Sequence, residues 1–249
     1  MKSAHLVTKA LRHPVWAYNA IRMRGRISAF TQTPRRYLEQ WLRELHRRDD
    51  LPALLADRWK AETGEPLWKY SGGSTIGPSN EGLYLLVRCA TPDVVIETGV
   101  ASGFSTAFIL QALADNHRGN LISIDLPNTR PEGYLNEDHI VERVHVPSAD
   151  KVGQVIPQHL RSRWRLVIGS SQDHLPSVIA AADRVDFFFH DSSHAYQNMM
   201  FEFQTVWPRL SPGGILASDD IAWNSAFADF SRNVSRTPVF WVGRGAMRK

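Results

Sequence analysis

From residue 90 onward, short apolar runs alternate with longer stretches in which apolar positions recur every three or four residues. The first pattern suits strands buried on both faces and the second suits helices packed along one side. Their alternation predicts βα units around a parallel sheet. The predicted strands are Val94 to Glu97, Leu121 to Asp125, Arg165 to Ile168, Val185 to His190 and Gly214 to Ser218. All but one end in a polar or ionisable residue, and in open α/β sheets ligands bind at the carboxyl ends of the strands. Between them, Ser105 to Asn116 and Tyr196 to Leu210 read as helices. The second of these places Tyr196, Met199, Met200, Phe203 and Val206 on one face.

The first 65 residues have a different texture. Thr33 can cap a helix, Pro34 fits its first position, and Tyr37, Leu38, Trp41, Leu42 and Leu45 share a face. The arginines at 35, 36, 43, 47 and 48 lie mostly off that stripe. A second helix is predicted from Leu51 to Lys60, stopping before Gly64. Leu6, Val7, Ala10 and Leu11 also have helical spacing until Pro14 interrupts, and Arg22, Arg24 and Arg26 form a basic cluster. Residues 1–65 are therefore expected to be a basic helical extension capping a main domain at 66–249.

Composition agrees with one α/β-sized domain plus an appendage: 249 residues, 43% hydrophobic and 22% charged. A single cysteine, Cys89, excludes an intrachain disulfide. No uncharged apolar stretch approaches the ~18 residues of a membrane span, and no apolar signal-peptide core stands at the N-terminus, so a cytoplasmic chain is expected. The net charge of +4 hides an asymmetry, because residues 1–50 carry 11 Lys/Arg against 4 Asp/Glu while the remainder is mildly acidic. Such a leader can meet phosphates of nucleic acid or of a membrane surface, or serve as a solvated or subunit-contacting helical segment.

The candidate chemistry begins at Glu97-Thr98-Gly99-Val100-Ala101-Ser102-Gly103, a glycine turn between a predicted strand and a predicted helix. Glycines there let the backbone turn sharply and approach a ligand, and free amides at the helix start favour an anionic group. Asp125, at the end of the next strand, is placed to accept hydrogen bonds from both hydroxyls of a ribose. A nicotinamide fold calls for Gly-x-Gly-x-x-Gly, whereas this chain has Gly99, Ala101 and Phe104 in those places. A second cluster stands at the ends of the last two predicted strands: Asp191 with His190 and His194, then Asp219 and Asp220. In a parallel sheet with those strands adjacent, the three aspartates converge. Two carboxylates ~4 Å apart repel by about 4 kcal/mol at an effective dielectric near 20, so a cation or shifted pKa values are required. An oxygen-only ligand set suits Mg²⁺ or Mn²⁺.

These motifs together resemble a known family. Acid-x-Gly-x-x-x-Gly at 97–103, with Arg163-Trp164, Gly169-Ser170-Ser171, Leu175-Pro176, His190-Asp191-x-x-His194-x-Tyr196, Leu210-x-Pro212-Gly213-Gly214 and Ser218-Asp219-Asp220, resembles class I S-adenosylmethionine-dependent methyltransferases. The resemblance is to the bacterial members related to macrolide-sugar and catechol or caffeoyl-CoA O-methyltransferases, and it covers roughly residues 68–230. It implies a Rossmann-like, doubly wound, mostly parallel seven-stranded sheet. It also implies S-adenosylmethionine held by Glu97, Gly99, Ser105, Asp125 and Ser171, Mg²⁺ or Mn²⁺ held by Asp191, Asp219 and Asp220, and His194 as general base. Within that scheme Glu97 orients the turn or reaches the cofactor's amino group, and Tyr70 to Gly77 resembles a glycine-rich loop closing over the cofactor. The Asp-Asp pair, where catechol-type members have Asp-Asn, resembles the sugar-methylating branch and implies a glycoside or natural-product hydroxyl as acceptor.

The family's sheet ends in an antiparallel hairpin, and here only Val239 to Val242 is a clear strand candidate. Either Gly245 to Lys249 forms a stub of the last strand, or the edge is completed by a partner in a homo-oligomer. Alternatives are a nucleic-acid methyltransferase using the basic leader, although no Asn/Asp-Pro-Pro-Tyr-type motif is present, a catalytically silent binding protein of the same fold, and a hydroxylase, for which no facial pair of histidines with a carboxylate is evident.

Overall fold

The computed structural model describes residues 14–47, 50–69, 76–130, 132–142, 146 and 148–249. The helical spacing at Leu6, Val7, Ala10 and Leu11, and residues 70–75 of the glycine-rich loop, lie outside the described residues. Three helices come first: α1 (Pro14–Thr31), α2 (Arg35–Arg47) and α3 (Leu51–Thr63). Leu38, Leu42 and Leu45 of α2 are buried as their spacing predicts, while Tyr37 is exposed. Helix α3 runs one residue short of Gly64, whose left-handed backbone caps it through its amide to the Lys60 carbonyl.

The core unit follows as α4 (Pro78–Ala90), β1 (Val94–Thr98), α5 (Phe104–Asp115) and β2 (Asn120–Asp125). A two-stranded hairpin of β3 (Tyr134–Leu135) and β4 (Val141–Glu142) comes next, then β5 (Trp164–Ile168), α6 (Ser171–Ala181), β6 (Val185–His190) and α7 (Tyr196–Val206). The chain ends with β7 (Leu210–Ser218), α8 (Ala226–Asn233), β8 (Val239–Trp241) and β9 (Arg244–Arg248). Helix α4 escaped the sequence reading because Pro78 to Arg88 are buried without interruption, so no polar face marks its period.

The seven-stranded sheet has the order β5-β2-β1-β6-β7-β9-β8. Strands β5, β2, β1, β6 and β7 are parallel, and β9 runs antiparallel between β7 and β8. The terminal hairpin is thus complete within the chain: β9 pairs Ser218 with Gly245 on one side and Val239 with Ala246 on the other. The short last strand expected at Gly245 to Lys249 is present as β9, and the expectation of an edge completed by a partner is corrected. Its pattern is hard to read because Arg244, Gly245 and Ala246 are buried yet not strongly apolar.

Strand residues divide between the two faces with period two. Val95, Phe187, Phe189, Ile215, Ala217 and Ala246 join a cluster with α4, α5 and the N-terminal helices, whereas Ile96, Phe188, Leu216 and Met247 join one with α6, α7 and α8. Met23, Ile27, Leu38, Leu42, Leu51 and Leu55 belong to the first cluster, so the extension shares its core with the sheet. Two of its arginines also bond to backbone carbonyls of the main domain. Arg26 donates to the Phe240 carbonyl at 2.9 Å, and Arg58 donates to the carbonyls of Val155 and Gln154. Among the described residues no helix is long and apolar enough to cross a membrane.

Because Leu38 is fully buried in that shared cluster, Leu38→Ala is expected to destabilise the whole molecule by about 2–5 kcal/mol. Thermal unfolding followed by circular dichroism should show one transition moved to lower temperature. A separate early transition for the helices would contradict the shared core.

Candidate active site

The strand order reverses direction between β1 and β6, and the carboxyl ends of the parallel strands meet there. The pairing continues one step past the strands. Gly99 N–H donates to the Ile124 carbonyl, Gly169 to Asp125, Asp191 to Thr98 and Asp219 to His190, all at 2.8–2.9 Å. These bonds draw four predicted site segments onto one rim. Above it lies a cavity of about 1250 Å³ lined by Gly99, Ser105, Asp125, Ser171, Asp191, His194, Asp219, Asp220 and Arg244, among others. That exceeds the ~300–1,000 Å³ of a typical single-ligand pocket, leaving room for two molecules side by side.

Gly99 sits at φ 82°, and a Cβ there would stand 1.9 Å from the Asp191 carbonyl oxygen. Only glycine lets the β1 and β6 loops touch. The turn's amides do not wait for an external anion, because Val100 and Ala101 donate to Oδ2 of Asp125 at 2.6 and 2.9 Å. The nest expected to hold a ligand's negative charge is filled by the chain's own carboxylate. Burial raises the Asp125 pKa, partly offset by those amides.

Glu97 lies below this turn, fully buried and absent from the cavity wall. It accepts from the hydroxyls of Ser105 (3.1 Å), Thr106 (2.9 Å) and Ser123 (2.7 Å). Of its two expected roles, orienting the turn is the one its position allows. Burial pushes its carboxyl up to about 7 despite the three donors. Ser105 reaches the cavity from the first turn of α5. Ser171 opens α6 after the cap at Ser170 and reaches the cavity from the β5 side.

The two histidines divide cleanly. His190 is fully buried, off the cavity wall, with Nδ1 2.7 Å from Oε2 of Glu202 on α7. His194 lines the cavity, 7% exposed, its ring 4.8 Å from that of Trp223 and its Nε2 buried without a hydrogen-bond partner among the described residues. Burial, and then the neighbouring His190, lower its pKa to about 4, so the ring is neutral at pH 7.

The aspartates converge on the cavity as expected, but not as three free ligands. Arg244 of β9 grips Asp219 with both ends of its fork, Nε to Oδ1 at 3.0 Å and Nη2 to Oδ2 at 3.1 Å. Burial alone would raise the Asp219 pKa, but Arg244 outweighs it and holds the carboxyl below the ordinary range. Asp191 is pushed the other way, well up, by burial and by Asp219. Asp220 is pushed up to about 6 by the same two causes. Among the described residues no group of His, Cys, Asp or Glu has metal-ligand geometry. The structure thus shows no metal site at Asp191, Asp219 and Asp220, and both oxygens of Asp219 are engaged by Arg244.

Several wall residues carried no sequence signal. The β3–β4 hairpin lies over the cavity, anchored by Glu142, which accepts from Asn136 Nδ2 (2.8 Å), Ser193 Oγ (2.8 Å), the His194 amide (3.0 Å) and Tyr134 OH (2.8 Å). Asp138 adds a second anchor by accepting from the Tyr196 amide at 2.7 Å. Nothing in the segment from Pro127 to Gly153 marks Glu142 as different from a surface glutamate. Arg244 follows Gly243 in a tail segment with no motif.

A family model described as a methyltransferase domain matches residues 96–221, just over half of the 249-residue chain. The chain belongs to this family of methyltransferases. No match is found among curated proteins. Among solved structures, an O-methyltransferase from Bacillus cereus in complex with SAH superposes with a TM-score of 0.57 at 17% identity, over 90% of this chain and 100% of that one. The O-methyltransferase TomG from Streptomyces achromogenes, involved in tomaymycin synthesis and in complex with SAM, gives 0.55 at 15% identity over 79% and 89%. Cofactor-bound Rv0187 from MTB gives 0.57 at 16% identity over 84% and 94%. These likenesses establish the class I methyltransferase fold, with its mostly parallel seven-stranded sheet and flanking helices.

The Glu97 carboxyl supplies a pH test. A folded-state pKa near 7 means that the native protein keeps a proton the unfolded chain releases near its ordinary 4.5. Its contribution is full below pH 4.5 and is lost as the pH rises through 7. Glu97→Gln, which cannot titrate, is expected to be less stable at low pH, with the difference in Tm narrowing between pH 4.5 and 7. A constant difference would show that Glu97 does not change protonation on unfolding.

Proposed function

We propose that the chain transfers the methyl group of S-adenosylmethionine to a hydroxyl oxygen of a small molecule, most readily a glycoside or natural product. The observation that carries this reading is Asp125 in the glycine-turn nest. One of its oxygens satisfies the turn amides, and the other, without a hydrogen-bond partner among the described residues, is available to a ribose diol. A pyrophosphate would meet a carboxylate where a nicotinamide enzyme offers bare N–H groups. The B. cereus and S. achromogenes structures carry SAH and SAM, which supports the same cofactor here.

When bound, S-adenosylmethionine supplies an electrophilic methyl group on a sulfonium. The chain's own residues fit it: Gly99 and Ser105 bound the methionine side, Asp125 the ribose and Ser171 the far end beside β5. The remaining space, under the β3–β4 hairpin and beside Trp223, holds the acceptor. Trp223 is 39% exposed and shares the cavity wall with Asn136 and Glu137, so the cavity offers an apolar platform together with polar groups, which suits a sugar. In-line attack needs the acceptor oxygen ~3–3.5 Å from the methyl carbon, and the hairpin anchored by Glu142 and Asp138 confines it.

His194 takes the hydroxyl proton. It faces the cavity, is neutral at pH 7 and has an unused buried Nε2. A second reading gives the proton to Asp220, whose carboxyl, pushed up to about 6, lies nearer the operating pH.

Purified protein is incubated with methyl-labelled S-adenosylmethionine and a small-molecule and glycolipid extract, and the labelled product is identified by mass spectrometry. His194→Ala is expected to keep cofactor affinity by calorimetry and to lose about 10²–10⁴-fold in turnover. Asp125→Ala is expected to weaken cofactor binding about 10-fold or more, since one hydrogen bond to a charged group contributes about 1.5–3 kcal/mol. Unchanged turnover in His194→Ala with a large loss in Asp220→Asn moves the proton to Asp220. Label appearing only in nucleic acid, with binding that falls steeply with salt, would replace the small-molecule reading.

A further inference from the structure

A divalent cation expected beside three aspartates finds the position next to Asp219 already taken by a guanidinium. Both Asp219 oxygens accept from Arg244, at 3.0 and 3.1 Å, and such paired charge-assisted bonds are the strongest a carboxylate makes with a side chain. The arginine is not a surface residue swung inward. It is 1% exposed, its Nη1 donates to Asn80 Oδ1 at 2.7 Å and to the Ser79 carbonyl at 3.3 Å, and its guanidinium lies 5.0 Å over the Phe189 ring. Its backbone is held in β9, one residue before the Gly245–Ser218 pair that joins this strand to β7. To admit a metal at Asp219, Arg244 would have to leave four polar contacts and a ring.

We propose that Arg244 occupies the place of the divalent cation, so that this site works without a bound metal. The proposal rests on the methyltransferase reading and deepens it. Arg244 is a positioning residue. It fixes Asp219 at the rim, and places one permanent positive charge close to Asp191, Asp219 and Asp220. A divalent ion added there would face that charge at close range, with its central ligand withdrawn. Unlike an ion, Arg244 cannot be chelated, exchanged or lost on dilution. The acceptor proton then falls to a side chain of the cavity wall.

The test uses Mn²⁺ alone, read by the EPR signal of the free ion, with S-adenosylmethionine affinity measured in parallel by calorimetry. Wild-type protein is expected to leave the free-Mn²⁺ signal unchanged, and EDTA to leave cofactor affinity unchanged. Arg244→Ser frees Asp219 and opens space beside it, and is expected to bind Mn²⁺ at least ~10-fold more tightly than wild type. Arg244→Lys keeps the charge and is expected to bind no better than wild type. Stoichiometric Mn²⁺ binding by wild type overturns the proposal. So does a folded Arg244→Ser protein that gains no Mn²⁺ affinity. If Arg244→Ser does not fold, the wild-type titration decides alone. A wild-type protein that binds neither Mn²⁺ nor S-adenosylmethionine overturns the methyltransferase reading while leaving the absence of a metal site intact.

Discussion

A carboxylate removed from water must be matched by a charge or by donors, and the upper edge of this sheet consists largely of solutions to that requirement. Glu97 is matched by three hydroxyls, Asp125 by two turn amides, Asp219 by a guanidinium, and Glu202 by Thr98, His190, Ser192 and Asn198. Each match ties two or more segments together. Glu97 binds β1 to α5 and β2, Asp125 binds β2 to the glycine turn, and Asp219 binds β7 to β9 and through Arg244 to α4. Removing one partner would leave a buried charge as well as a missing bond, which makes the site rigid at its base.

Glu97 and His190, held by Ser123 and Glu202 respectively, lie below the cavity and do not line it. Its wall carries Asp125, Asp191, His194 and Asp220 together with Asp219, Arg244 and Glu142, whose charges are matched within the chain. His190 and His194 are four residues apart and chemically identical, yet Glu202 captures the first and leaves the second facing the acceptor space. The β3–β4 hairpin is held over that space by Glu142, which contacts the His194 amide directly, so the element confining the acceptor also sets the backbone of the proposed base.

Much of this was legible beforehand. The alternation of strand-like and helix-like runs placed the five parallel strands to within a few residues, since burial on both faces leaves an unbroken apolar run. The clustering of Asp125, Asp191, Asp219 and Asp220 at one rim followed from their positions at or just after strand ends. What was not legible shares a different character. Helix α4 has no polar face because none of its faces meets water, and Glu142 belongs to a short hairpin whose meaning lies in a contact across 52 residues of sequence. Arg244 resembles any basic residue near a chain end until β9 inserts beside β7.

The amino-acid sequence by itself determined the fold family, the glycine that lets two loops touch, and the carboxylates assembled at the strand ends, because these depend on local periodicity and on residue type at a strand terminus. Only the tertiary structure decided what those carboxylates hold. Whether an aspartate faces a ribose, an amide or an arginine is set by what packing brings to within ~3 Å, and Arg244 reaches Asp219 at a sequence separation of 25. A cation supplied by a side chain or by solvent satisfies the same charge, so the acidic residues could announce that a cation was needed without saying which one arrives.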